Sequence, residues 1–135
     1  MKILNIVLKV LLGLLLVSPI LGALGIFPPP TPEMYNTPEA FAFIQMLFTT
    51  GYILYIEAFV FAVSIVLIIM NRTALAALLI LPITVNIVGF HMFLDGGLFT
   101  AGAMMANVLA LLNAYFLWQN RARYKGLLEK DTKTA

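Results

Sequence analysis

Four runs of apolar residues, each long enough to cross a bilayer as a helix, leave this chain few ways to fold. They extend from about Ile3 to Phe27, Gly51 to Met70, Ala74 to Leu94 and Leu98 to Trp118. A helix advances about 1.5 Å per residue, so roughly 20 residues traverse the hydrocarbon layer. Within lipid each backbone amide needs a partner in its own segment, which selects helices, and none of the runs alternates as a barrel strand would. Only 10% of the 135 residues are charged while 62% are hydrophobic, too little polar surface to coat a water-soluble domain. The expected fold is therefore all-α: one transmembrane domain over residues 1–135, a four-helix bundle ending in a basic tail over residues 119–135.

Charge sets the expected orientation. All eight basic residues fall on one side of a four-span arrangement: Lys2, Lys9, Arg72, Arg121, Arg123, Lys125, Lys130 and Lys133. The opposite loops, residues 28–50 and 95–97, contain no Lys or Arg. The excess of positive charge predicts that both termini are cytoplasmic. Lys9 lies two turns into the first run and marks the inner boundary, since its long side chain can reach back to the headgroups. Tyr115, Trp118 and Tyr124 fit an aromatic belt at the same interface. The first run also resembles a secretory signal with Ala23-Leu24-Gly25 as its cleavage site, in which case three spans would remain. The scattered tail charges form no nucleic-acid docking surface. There is no cysteine, which excludes thiol-disulfide exchange and thiolate ligation.

Between the first two runs, prolines 28, 29, 30 and 32 stiffen the chain. Thr37-Pro38-Glu39 then supplies a helix start: a capping hydroxyl, proline at the first helical position and a carboxylate near the positive end of the dipole. The helix from about residue 38 to 50 either lies across the outer mouth as an interfacial lid or continues through Gly51 as one tilted helix to Met70.

Polar groups inside spans are costly, and each is a site hypothesis. On the second run Thr50, Glu57 and Ser64 fall on one stripe. On the third, Thr84, His91 and Asp95 share a stripe and Asn86 lies about 140° around with Phe90 and Phe93, while Val85, Gly89 and Met92 point towards lipid. Counted from the turn at residues 71–73, Glu57 lies roughly 20 Å up its helix, Asn86 roughly 18 Å and His91 roughly 26 Å. A cluster in the outer half of the bundle is thus geometrically allowed. His91 and Asp95 are also four residues apart beside the Asp95-Gly96-Gly97 turn, so a purely local pair is the competing reading. The fourth run carries Asn107 and a small-residue seam at Gly102, Ala106, Ala110 and Ala114 suited to close helix packing. One histidine with distant carboxylates shows no metal-ligand spacing, and no nucleophile, phosphate loop or redox motif marks a catalytic residue.

The run LLILPITVNIVGFHMFLD, residues 78–95, resembles the signature stretch of the DoxX-like membrane proteins. The surroundings are similar too: a Gly-containing first span, an outer loop with a short helix ending at Gly51-Tyr52, Glu57 in the second span, and Pro82, Asn86 and Phe90-His91-x-Phe93-Leu94 in the third. A basic, aromatic tail with Tyr124 follows. The likeness covers about residues 13–128. The sequence departs from the pattern at Pro19-Ile20-Leu21-Gly22-Ala23, where the family often carries a polar or basic residue, and it lacks a proline shortly after Gly51-Tyr52. The resemblance implies a four-helix protein of the bacterial inner membrane, linked to quinone-coupled redox systems or to assemblies that handle oxidative stress.

Three readings of function follow. Glu57, Asn86 and His91, with Asp95 and Asn107 nearby, could bind a quinone or another lipid-like amphiphile from the outer leaflet. Alternatively the small-residue seams dock a partner membrane protein or a second copy, and no ligand is involved. A small permease is the third, although the chain shows no inverted repeat.

Overall fold

The computed structural model describes residues 1–131, so Lys133 of the expected basic tail lies outside the described residues. The described chain is all-helical and contains no strand. In order, the helices are α1 (Lys2–Ala23), α2 (Pro38–Thr50), α3 (Tyr52–Ile69), α4 (Thr73–Phe93), α5 (Ala103–Gln119) and the single turn α6 (Lys125–Leu128), with 3₁₀ turns at Pro32–Met34 and Arg121–Tyr124. Three of them, α1, α3 and α4, are long and apolar enough to cross a membrane, and α5 is an apolar helix of 17 residues.

Three helix ends have an identifiable local cause. Past α1, Gly25 adopts φ 73°, and the amides of Ile26 and Gly25 donate to the carbonyls of Leu21 and Gly22. Past α3, Asn71 adopts φ 60°, and the amides of Arg72 and Asn71 donate to Leu67 and Ile68. Both are left-handed caps that satisfy orphan carbonyls, made by Gly in one case and by Asn, the next most tolerant residue, in the other. The Thr37 hydroxyl accepts from the Ala40 amide at 3.1 Å and caps α2, as its sequence predicts.

Two expectations about helix extent are decided here. The chain breaks at Gly51, which takes φ 74°, so α2 is a separate helix packed on α3 and the single helix from Pro38 to Met70 does not form. The fourth helix starts at Ala103 rather than Leu98. Gly96 and Gly97 both have positive φ, and Asn107 Nδ2 donates to the Leu98 carbonyl at 2.7 Å. These hold residues 98–102 in a turn that Thr100 then caps.

The four long helices pack in a closed cycle, α1 on α3, α3 on α4, α4 on α5 and α5 back on α1. Leu12 and Leu16 of α1, Phe61 of α3, Ala77 and Ile80 of α4 and Leu109 and Phe116 of α5 fill the centre. Asn113 of α5, which the sequence reading did not single out, is also buried and donates to the Ala77 carbonyl at 2.9 Å, fixing α5 against α4. The outer faces are equally apolar: Ile3, Ile6 and Leu14 of α1, Phe59 and Ile69 of α3 and Leu111 of α5 are all exposed.

A Cβ on Gly51 would meet the Tyr55 ring at 3.3 Å in a backbone region that L-residues rarely adopt, whereas one on helical Gly89 meets nothing within 4 Å. Gly51→Ala is therefore expected to lower unfolding free energy by about 1–2 kcal/mol. Gly89→Ala should be neutral or raise it by up to about 1 kcal/mol. Chemical unfolding in detergent checks both, and an unaffected Gly51→Ala would indicate a continuous α2–α3 helix.

Candidate functional site

The outer end of α4 is built around one carboxylate. His91 sits in the last turn of α4, and Asp95, one turn further on, is 1% exposed. Their separation of four residues brings His91 Nδ1 to 3.1 Å from Asp95 Oδ2, the local pair expected from spacing alone. The second oxygen, Oδ1, accepts from the Asn36 backbone amide at 2.8 Å, and Asn36 Nδ2 donates to the Asp95 carbonyl at 3.1 Å. The Thr37 hydroxyl donates to the Leu94 carbonyl. Asp95 thus ties the chain entering α2 to the chain leaving α4.

An aromatic shell covers this knot. Phe90 stacks edge-on against His91, with ring centroids 5.0 Å apart, and also meets Tyr35 edge-on and Phe43 in a tilted contact. Burial pushes the Tyr35 phenol above its ordinary pKa, and the Asp95 charge adds to the shift. Gly102, ahead of α5, lies so that a Cβ there would be 3.5 Å from Asp95 Oδ2. His91 and Asp95 were candidates by sequence, but Asn36 and Thr37 were not, and they lie 59 and 57 residues from their partners.

The other expected site residues do not join this cluster. Glu57 is half-buried, on the face of α3 that also carries buried Phe61, Ser64 and Ile68, and it forms no hydrogen bond among the described residues. The stripe expected to run from Thr50 through Glu57 to Ser64 is interrupted, because Thr50 belongs to α2 and returns its hydroxyl to the Met46 carbonyl. Ser64 likewise donates to its own helix, at Val60. Asn86 is exposed, as is its stripe-mate Phe93, while Phe90 of the same stripe is half-buried against Tyr35, Phe43 and His91, so Asn86 itself points away from the packed centre. The Thr84, His91 and Asp95 stripe faces inward, and Val85 and Met92 are exposed as expected.

Asn107 is half-buried and holds Leu98, a positioning task in the turn before α5. The small-residue seam is also rotated from its expected course. Ala103 and Ala106 are buried but Gly102 and Ala114 are exposed, and the packed face continues through Leu109, Asn113 and Phe116.

An outer cavity of about 240 Å³ opens elsewhere, between the end of α1 and the α2–α3 junction. Gly22, Phe27 and Pro29 form one side, and Phe48, Leu54 and Tyr55 the other. Glu57 is not among the lining residues, but Leu54, which is, precedes it by three residues on α3 and shares its face one turn away. Comparison with known proteins yields no match: no family model fits the chain, and no curated protein or solved structure is significantly similar to it.

If Asp95 is the fastening point of this end, Asp95→Ala should destabilise by roughly 1–3 kcal/mol, since it removes the acceptor of the part-buried Asn36 amide and the contact with His91. Asp95→Asn keeps an acceptor for the Asn36 amide and should cost less. Urea unfolding in detergent measures the difference, and limited proteolysis of residues 28–37 should accelerate in the same order.

Proposed function

We propose that the chain is a DoxX-like integral protein of the bacterial inner membrane, with four spans and both termini cytoplasmic. In this reading it is a non-catalytic subunit that holds a small amphiphile, such as a quinone, at its outer notch. The membrane assignment is supported by three long apolar helices whose outward faces are as hydrophobic as their inward ones. Lipid solvates such surfaces where water does not. The shorter α5, about 25 Å by its 17 residues, matches a slightly thinned layer or one it crosses without tilt.

The observation that carries the ligand reading is Glu57. A carboxylate inside a span normally finds a protein partner or lines a polar path. This one has no hydrogen bond among the described residues, and an aromatic-sided notch opens one turn above it. A quinone ring suits the notch, because such sites are mostly apolar with a few polar groups that orient the ligand. Its carbonyl or hydroxyl would then be within the compass of the Glu57 side chain. His91 takes no part in this version, being engaged with Asp95.

A second reading is favoured by Asn86. An exposed carboxamide in the outward face of a span gains on the order of 1 kcal/mol by bonding across to another helix. That supports docking of a partner membrane protein or a second copy along α4, with no ligand.

Because the chain lacks cysteine, single thiols report topology cleanly. Pro30→Cys is expected to react with an impermeant maleimide in intact cells, and Glu129→Cys only after lysis. The reverse pattern would overturn the orientation.

For the ligand, an azido-quinone probe should crosslink within residues 22–29 or 48–57, as located by peptide mass spectrometry. Glu57→Gln should reduce labelling about fivefold, the effect of exchanging a carboxylic-acid donor to the quinone carbonyl for a weaker amide donor. Undiminished labelling in Glu57→Gln, or none in the parent, would sink this reading, and loss of a larger assembly in Asn86→Leu would favour the second.

A further inference from the structure

The end of the molecule opposite Asp95 has a second cavity, and its chemistry differs from that of the notch. A polar cleft of about 310 Å³ lies between α1, the α3–α4 turn and the chain leaving α5. Asn5 and Lys9 line it from α1, Asn71 and Thr73 from the turn, and Asn120 and Arg123 from beyond α5. Among the described residues its lining includes two cations and no carboxylate.

Two of these groups lack the partners their burial demands. Thr73 is 5% exposed, and its Oγ1 has no hydrogen-bond partner. Asn5 Oδ1 is buried and likewise unpartnered. Leaving such atoms unsatisfied is unfavourable, and both belong to residues that line one space. Thr73 is also the first residue of α4, a helix of 21 residues, whose opening amides have no intrahelical acceptor and whose dipole is positive here. Lys9 Nζ meets only the neutral carboxamide oxygen of Asn71, at 3.2 Å, so no carboxylate offsets its charge. The cleft therefore concentrates donors and positive potential around an unfilled space.

We propose that this cleft binds a phosphate ester. Lys9 and Arg123 counter its charge, and the Thr73 hydroxyl and the first amides of α4 donate to its oxygens. The Asn5 carboxamide, whose two ends are nearly isosteric, serves as either acceptor or donor to the esterified alcohol. The volume accommodates a phosphoryl group together with the glycerol it esterifies. That the ester is a membrane phospholipid rests on the transmembrane reading above, which sets the cleft at the inner headgroup layer, where basic pockets between helices meet anionic lipid.

The test is native mass spectrometry of the full chain released from detergent with added phosphatidylglycerol or phosphatidylcholine, and with glycerol 3-phosphate as a soluble competitor. One phosphatidylglycerol per chain should be retained in preference to phosphatidylcholine. Binding should weaken roughly tenfold or more in Lys9→Gln/Arg123→Gln. Lys125→Gln/Lys130→Gln, which removes equal charge outside the cleft, should leave it unchanged. Thr73→Val should weaken retention and Thr73→Ser restore it, with unchanged thermal unfolding showing that each variant is folded.

Competition by glycerol 3-phosphate identifies the phosphate ester as the recognised group. Binding of that soluble ester without lipid preference, still lost in Lys9→Gln/Arg123→Gln, assigns the site to a soluble ligand. Equal loss in both charge pairs, or equal retention of the two lipids with no competition by the soluble ester, overturns the proposal. If the chain washes out of membranes at alkaline pH, the transmembrane reading fails independently, while the soluble-ester measurement still decides the cleft.

Discussion

One buried carboxylate fixes the arrangement of the outer half of the molecule. The segment between α1 and α2 contains four prolines and a single 3₁₀ turn, so it can satisfy few of its own backbone groups. Asp95 supplies what the segment lacks. It accepts from the Asn36 amide and pairs with His91 while its own carbonyl receives the Asn36 side chain. With Asn36 held, Thr37 reaches Leu94 and caps α2 in the same geometry. The start of α2, and through it the approach to Gly51, is thereby set by a residue nearly sixty positions away. Such a group withstands burial because every part of it is engaged, which is the condition under which polar networks stabilise a fold.

The parts of the fold that were legible in the sequence are those set by local rules. The limits of α3 and α4 lie within a residue of the apolar runs that predicted them, because Gly51 and Asn71 are local stop signals. The Thr37-Pro38-Glu39 start of α2 follows equally from capping chemistry. The fourth helix was misjudged at its start because Leu98 and Phe99 are apolar yet lie in a turn, and hydropathy does not register two positive-φ glycines followed by a side chain, Asn107, that bonds backward to Leu98. Asn36 could not have been linked to Asp95 by any periodicity, since their contact joins separate elements. Asn86 shows the remaining difficulty: angular position on a helix tells which residues share a face but not which face the neighbours cover. A polar group in a span invites the inference that it turns inward, and here the inward stripe is the one through Thr84 and Asp95.

The two ends of the helix cycle solve the problem of polar groups differently. At the end that holds Asp95 its buried carboxylate is matched within the chain, shared between a histidine and a backbone amide. At the opposite end positive groups outnumber negative ones, and Asn5 and Thr73, two residues that line the cleft, each hold a buried oxygen with no partner among the described residues. A closed network specifies a structure, whereas an open one leaves hydrogen-bonding capacity for something outside the chain. The asymmetry parallels the distribution of Lys and Arg, whose described members all lie towards this end of the helix cycle.

Glu57 must be judged by the same criterion. It shares its functional group with Asp95 and lies on a packed face, yet it has neither a histidine nor a strap of backbone amides to receive it. Its neighbours along the inner stripe, Leu54 and Phe61, are apolar, and the nearest opening is the notch above Leu54. If α3 served only to pack, leucine or alanine at position 57 would fill the same face without exposing the helix to the desolvation of a carboxyl group. The difference between the two acids is one of partners: Asp95 is accounted for by contacts made within the chain, whereas Glu57 has no hydrogen bond among the described residues, and the ligand proposed for the notch is the partner that would supply one.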